Sequence, residues 1–155
     1  QDFSSDIAGA LLTGLEKLKT FAKLNVLIMP NSLYCAEIRK SIDKFCHDNS
    51  LSVEYHSGVR TEIIRPNEVY LMLNSQHDNG LLALSRIASD LGLKIGEDIS
   101  VISYNDSPIN EIILNGLTSV STDFRQMGET AAQMIIDQSL SKVKCDFRMI
   151  RRGTF

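Results

Sequence analysis

The chain has 155 residues, 43% of them hydrophobic and 23% charged, a balance that argues against intrinsic disorder and gives one domain enough apolar material for a real core. The formal net charge is −3 and the pI is near 5.6, with Lys and Arg scattered and Arg151–Arg152 the nearest thing to a cluster, so the body carries no obvious electrostatic footprint for nucleic acid. No apolar run reaches membrane-spanning length, and residues 1–6 lack the basic region of a signal peptide.

Cys35, Cys46 and Cys145 are odd in number and show neither CxxC nor Cys/His ligand spacing. Reduced, buried thiols in a cytoplasmic protein are therefore favoured over a disulfide. The chain has no initiating Met and its first helical pattern starts almost at once, so a segment upstream is expected.

In chain order, Ile7, Leu11, Leu12, Leu15, Leu18 and Ala22 recur at helical spacing, which predicts an amphipathic helix over Ser5–Phe21 with Ser4 or Ser5 as cap. Val26–Met29 reads as a buried strand stopped by Pro30-Asn31-Ser32. A helix over Cys35–Asn49 and a strand over Leu51–Tyr55 follow. The connection Gly58–Glu68 is short, and Pro66 leaves room for a single helical turn near Thr61–Ile64 before the next strand, Val69–Leu73. We read it as a truncated crossover between parallel strands rather than a hairpin.

Asn74–His77 is a polar loop, with Ser75 and Asp78 at capping-box spacing ahead of a helix over Asp78–Leu91. Gly92 is placed to stop that helix, and Ile99–Ile102 is a β-branched strand ending in Tyr104, Asn105 and Asp106. Ser107–Gly116 is a loop holding Ile109, Ile112, Ile113 and Leu114. An extended stretch over Leu117–Ser121, a helix over Phe124–Leu140 capped by Asp123, and a closing strand over Phe147–Arg151 complete the pattern. Such alternation means an α/β domain with a mainly parallel sheet flanked by helices.

No GxGxxG, Walker A loop, HExxH or GxSxG motif occurs, and no nucleophile–base pair, cofactor motif or metal pattern can be identified. An enzyme on this scaffold would rest on fold analogy alone. His47 belongs on the surface near a helix end, and His56 reads as structural or exposed. His77 stands at the mouth of a strand-to-helix turn, where capping by the His77-Asp78 pair competes with contact to a ligand at the helix N-terminus. In an open parallel sheet ligands sit beyond the carboxyl ends of strands, which points to Asn105 and Asp106. The apolar loop is either a dimer contact or a segment folded back on the domain.

Three stretches, GLKIGEDISVISYND, GLTSVSTDFRQMGETAAQMII and RRGTF, resemble the C-terminal part of the effector domain of the lactose/galactose repressor family. The similarity is ordered from Asp78 to Phe155 and weaker over residues 1–55. It implies one lobe of a type I periplasmic-binding-protein-like fold, with residues 123–142 belonging to or packing on a second lobe and the DNA-binding head absent. It implies an effector site at His77, Asp78, Asn105 and Phe124, the last as a platform for a sugar face. The family's effector-binding Arg on the second helix is replaced by Ile38, with Arg39 one place on. The similarity also places Leu82, Arg86, Ile109, Ile112, Ile113 and Leu114 at a homodimer interface. The function expected is sensing of a sugar or sugar phosphate by a cytoplasmic bacterial transcription regulator that is not an enzyme. Operator DNA would be reached only through the absent head, and no membrane is involved. The alternative is a sugar-binding receptor of a transport system with the same fold.

Overall fold

Strands β1 (Lys23–Leu27), β2 (Val53–His56), β3 (Glu68–Met72), β4 (Ser100–Tyr104), β5 (Thr118–Thr122) and β6 (Phe147–Ile150) form a single sheet in the order β2-β1-β3-β4-β5-β6. The first five run parallel and β6 returns antiparallel to β5. The helices are α1 (Asp6–Leu12), α2 (Leu15–Leu18), α3 (Cys35–Asp48), α4 (Gly80–Asp90) and α5 (Phe124–Ile136). The computed structural model describes residues 2–28, 35–73 and 79–155, so the turn expected at residues 30–32 and the capping pair Ser75 and Asp78 lie outside the described residues.

Side chains alternate across the strands with period two, and two cores result. On one face Leu24, Val26, Val69, Leu71, Ile102 and Val120 pack with Ile7 and Leu11 of α1 and with Ile42 and Phe45 of α3. On the other, Tyr70, Met72, Val101 and Leu117 pack with Leu84 and Ala88 of α4 and with Ile64. The mainly parallel α/β class read from the alternation is the class observed.

The first helix departs from expectation. It breaks between Leu12 and Leu15 at Gly14, which is packed so closely that a Cβ there would lie 2.9 Å from Phe155 Cε1 and 3.1 Å from Met149 Sδ. Ser5 occupies the cap position but caps nothing; its hydroxyl donates to Asp2 at 2.7 Å. Strand β1 begins three residues earlier than its apolar run, at Lys23, because Lys23 and Asn25 pair into the sheet opposite Glu68 and Tyr70.

Gly92 performs as its position suggests. Its φ is +72, Gly92 N–H donates to Ser89 O and Leu93 N–H to Ala88 O, the two bonds of a Schellman ending. Helix α5 stops at Ile136, four residues short of expectation, by the same device with Gln138 in the glycine's place (φ +50). Gln138 N–H donates to Ile135 O and Ser139 N–H to Met134 O. Asp123 caps the start of α5 as expected, its Oδ1 accepting from Gln126 N–H at 2.9 Å.

The connection from β2 to β3 must step over β1, and it does so with one 3₁₀ turn, Thr61–Ile63. The sheet face beside it is polar. Buried Asn25 donates to Glu68 Oε2 at 2.7 Å and lies 2.9 Å from His56 Nε2, and the Tyr70 hydroxyl sits 3.1 Å from the same Glu68 oxygen. That hydroxyl also accepts from Arg65 N–H at 2.8 Å. Burial holds the Tyr70 phenol well above its usual range, so it remains a donor.

Candidate functional site

The carboxyl ends of β4 and β5 form the edge where a parallel sheet takes its ligand. Asn105 is the first residue past β4. Its φ of +65 is a conformation Asn tolerates better than most residues, and its N–H donates to Val120 O at 2.9 Å. This backbone turn buries the side-chain oxygen, and Asn105 Oδ1 has no hydrogen-bond partner among the described residues. An unpaired buried acceptor costs about 1–3 kcal/mol, so the position is shaped for a donor. A second such atom, Thr122 Oγ1, lies at the end of β5.

Phe124 follows at the first turn of α5 and leaves 47% of its surface open. At the ends of β4 and β6, Tyr104 and Phe147 pack ring to ring at 5.8 Å. The edge therefore offers aromatic surface and polar oxygens together, the combination that suits a ligand with one apolar face and a hydroxylated rim. His77 and Asp78, the other two expected contact residues, lie outside the described residues. Ile38 is buried in the core, and the Arg39 guanidinium lies 4.3 Å over the Tyr55 ring, so neither supplies a cation to this edge.

Asp106 does not join Asn105 as a free carboxylate. Arg152 grips it with two bonds, Nη1 to Oδ1 at 2.8 Å and Nη2 to Oδ2 at 2.9 Å, while Ser119 Oγ donates at 2.6 Å and Asn110 Nδ2 at 3.1 Å. Burial pushes its pKa up, but the bonds from Arg152, Ser119 and Asn110 outweigh that and hold it below the usual carboxylate range. Of the two residues after β4 where a binding residue was expected, Asp106 is thus engaged within the fold. The missed signal was Arg152 in the terminal RRGTF, whose partner sequence order does not reveal.

The apolar loop divides. Ile109 and Ile112 point outward, 54% and 74% exposed, while Ile113 packs against the α4-side core. Leu114 is half-buried in a left-handed turn (φ +51) beside an open groove that it shares with Ser85, Ala88, Ser89, Leu93 and Ile95. On α4, Leu82 is 49% exposed and Arg86 is also exposed. The loop and α4 thus border one surface.

The remaining candidates have structural places. His56 is buried in the Asn25–Glu68 network, and exposed His47 sits near Asp48 at the end of α3. Among the described residues no three His, Cys, Asp or Glu side chains could hold a metal ion, and no helix is long and apolar enough to cross a membrane. All three cysteines are free thiols; Cys46 and Cys145 are buried, whereas Cys35 is only partly so. Burial pushes the Cys46 thiol up to about 11.

Comparison with known proteins places this geometry. The periplasmic binding protein-like domain family matches residues 43–147. The lactose operon repressor of Escherichia coli (strain K12) is 32% identical over 63 residues, 41% of this chain and 18% of that protein. The HTH-type transcriptional repressor PurR of Aliivibrio fischeri (strain MJ11) is 27% identical over 117 residues, 74% of this chain and 29% of its own length. The chain thus spans less than a third of the curated relatives it matches. A dimeric lac repressor with an 11-residue C-terminal deletion superimposes with a TM-score of 0.72 at 21% identity, covering 97% of this chain and 62% of that one. The Escherichia coli transcriptional repressor ascG gives 0.71 at 14% identity, covering 97% and 62%. These likenesses fix the fold. The chain belongs to the periplasmic binding protein-like domain family.

Proposed function

We propose that this chain is the ligand-sensing and dimerising part of a bacterial transcription regulator that responds to a sugar or sugar phosphate. The observation that carries the reading is the buried Asn105 Oδ1 just past β4, which has no partner among the described residues, together with a half-exposed Phe124 just past β5. That the relatives at sequence level are repressors favours a regulator over a transport receptor. His77 and Asp78 would complete the contact set from the neighbouring turn. Residues 123–142 would pack on a second lobe, which suits the absence of any buried residue in α5. A homodimer would form through Leu82, Arg86 and the loop carrying Ile109, Ile112, Ile113 and Leu114. Operator DNA would be reached through a head outside this chain, in the cytoplasm, and no catalytic step is assigned. A ligand bound between lobes acts only through its differential affinity for their two arrangements.

The test is a thermal-shift panel of sugars and sugar phosphates on the complete protein. A ligand that raises the midpoint of the parent protein should lose most of its effect in Asn105→Ala. A shift of equal size in the variant would remove Asn105 from the site.

A further inference from the structure

One guanidinium holds both ends of the apolar loop. At the entry, Arg152 clamps the Asp106 carboxylate in the two-bond geometry already described; at the exit, its Nη1 donates to Leu117 O at 2.8 Å. The pair is sheltered, with 15% of the Arg152 side chain and 22% of Asp106 exposed, so water screens it less than a surface bridge. Arg152 is itself fixed. Its N–H donates to Thr118 Oγ1 at 2.8 Å, that hydroxyl lies 3.2 Å from Arg152 O, and Thr154 Oγ1 accepts from Thr118 N–H at 2.9 Å and donates to Val101 O at 2.8 Å.

From Asp106 the restraint runs into the loop. Asn110 is buried and donates to Asp106 Oδ1, and its backbone oxygen accepts from Leu117 N–H at 2.6 Å. Residues 106, 110 and 117 are therefore drawn to one point, and Ile109 and Ile112 flank Asn110 on the outer side. Apolar side chains held outward on a loop lose less freedom when a partner covers them.

We propose that Arg152 is the positioning residue that staples the 106–117 loop and presents Ile109 and Ile112 as a preformed dimer surface. The dimer half rests on the reading above; the staple does not. Lysine cannot substitute, because a single ammonium cannot reproduce the planar fork on Asp106 while also reaching the Leu117 carbonyl.

The experiment separates the two halves. Hydrogen exchange is measured on the complete protein in an Ile112→Asp background, where subunit contact adds no protection. There Arg152→Met and Arg152→Lys should each speed exchange at the amides of Asn110, Gly116 and Leu117 by about tenfold or more, the β3 and β4 amides staying unchanged. Asp106→Asn should do the same, and combining it with Arg152→Met should add little. Unchanged loop exchange, a uniform rise across the sheet, or full protection in Arg152→Lys each overturns the staple. Sedimentation without the Ile112 change tests the consequence: Arg152→Met should weaken self-association about tenfold. A parent protein that stays monomeric refutes the dimer reading alone. A dimer whose affinity is the same with and without Arg152 overturns the link from staple to surface.

Discussion

Asn105 and Asp106 are neighbours in sequence and opposites in state. The first buries an oxygen without a partner among the described residues, and the second collects four hydrogen bonds from three side chains. The difference gives Asp106 a pH signature. Its folded-state pKa lies below its ordinary value, so its contribution to stability is fully present above the unfolded pKa and is lost as pH falls through the folded one. At neutral pH Asp106→Asn should cost about 2 kcal/mol, because a sheltered Arg152 loses its counter-charge. The gap from the parent protein should narrow as pH drops below about 4, where the parent carboxylate is protonated in the unfolded chain and then in the folded one. Urea titrations at a series of pH values check this; a gap constant down to the acid limit would contradict it.

The β2–β3 connection tests the same reasoning for an element. Parallel strands normally bury both faces under helices, yet here one 3₁₀ turn steps over β1 and the face beneath carries Asn25, His56 and Glu68. These polar groups satisfy one another, so a face without a covering helix exposes little unmet apolar surface. Asn25→Ala removes a donor from Glu68 and a partner from His56, both largely buried, and should destabilise the fold by about 2 kcal/mol in urea titration. Asn25→Asp should cost at least as much, since it sets two carboxylates together. A neutral result for both would mean that solvent already satisfies the cluster.

This network also explains what the sequence concealed. The early start of β1 was hidden because Lys23 and Asn25 interrupt the apolar run, and their partners Glu68 and His56 lie on other strands. The single turn near Thr61 was legible, since Pro66 and the short spacing leave no alternative. Gly92 announced its helix ending; Gln138, in the same geometry, did not, because a left-handed Gln has no compositional signal. At the candidate site, Asn105 was placed from its strand end, and Phe124 only from the family resemblance. The capture of Asp106 by a residue 46 positions away could not be read, because nothing local encodes it.

At the scale of the whole molecule, α5 is the element whose surroundings are least complete. It has no buried residue, and Ile135, Ile136 and Leu140 are 78%, 74% and 98% exposed. With Phe124, Met127 and Val143 these make six large apolar residues exposed within residues 124–143. The intramolecular hydrogen bonds of α5 are in place, with a side-chain cap at its start and a Schellman ending. The helix therefore has a finished backbone and an unfinished face. If that face packs on the second lobe, the same substitution must have two outcomes. Ile135→Asp together with Ile136→Asp should leave the unfolding free energy of the 155-residue chain within about 0.5 kcal/mol, since both residues already meet water. In the complete protein the same pair should cost about 3 kcal/mol or more, because each Asp would then be buried or would hold the lobe away from the helix. Equal small effects in both would count against the proposal that the α5 face packs on a second lobe.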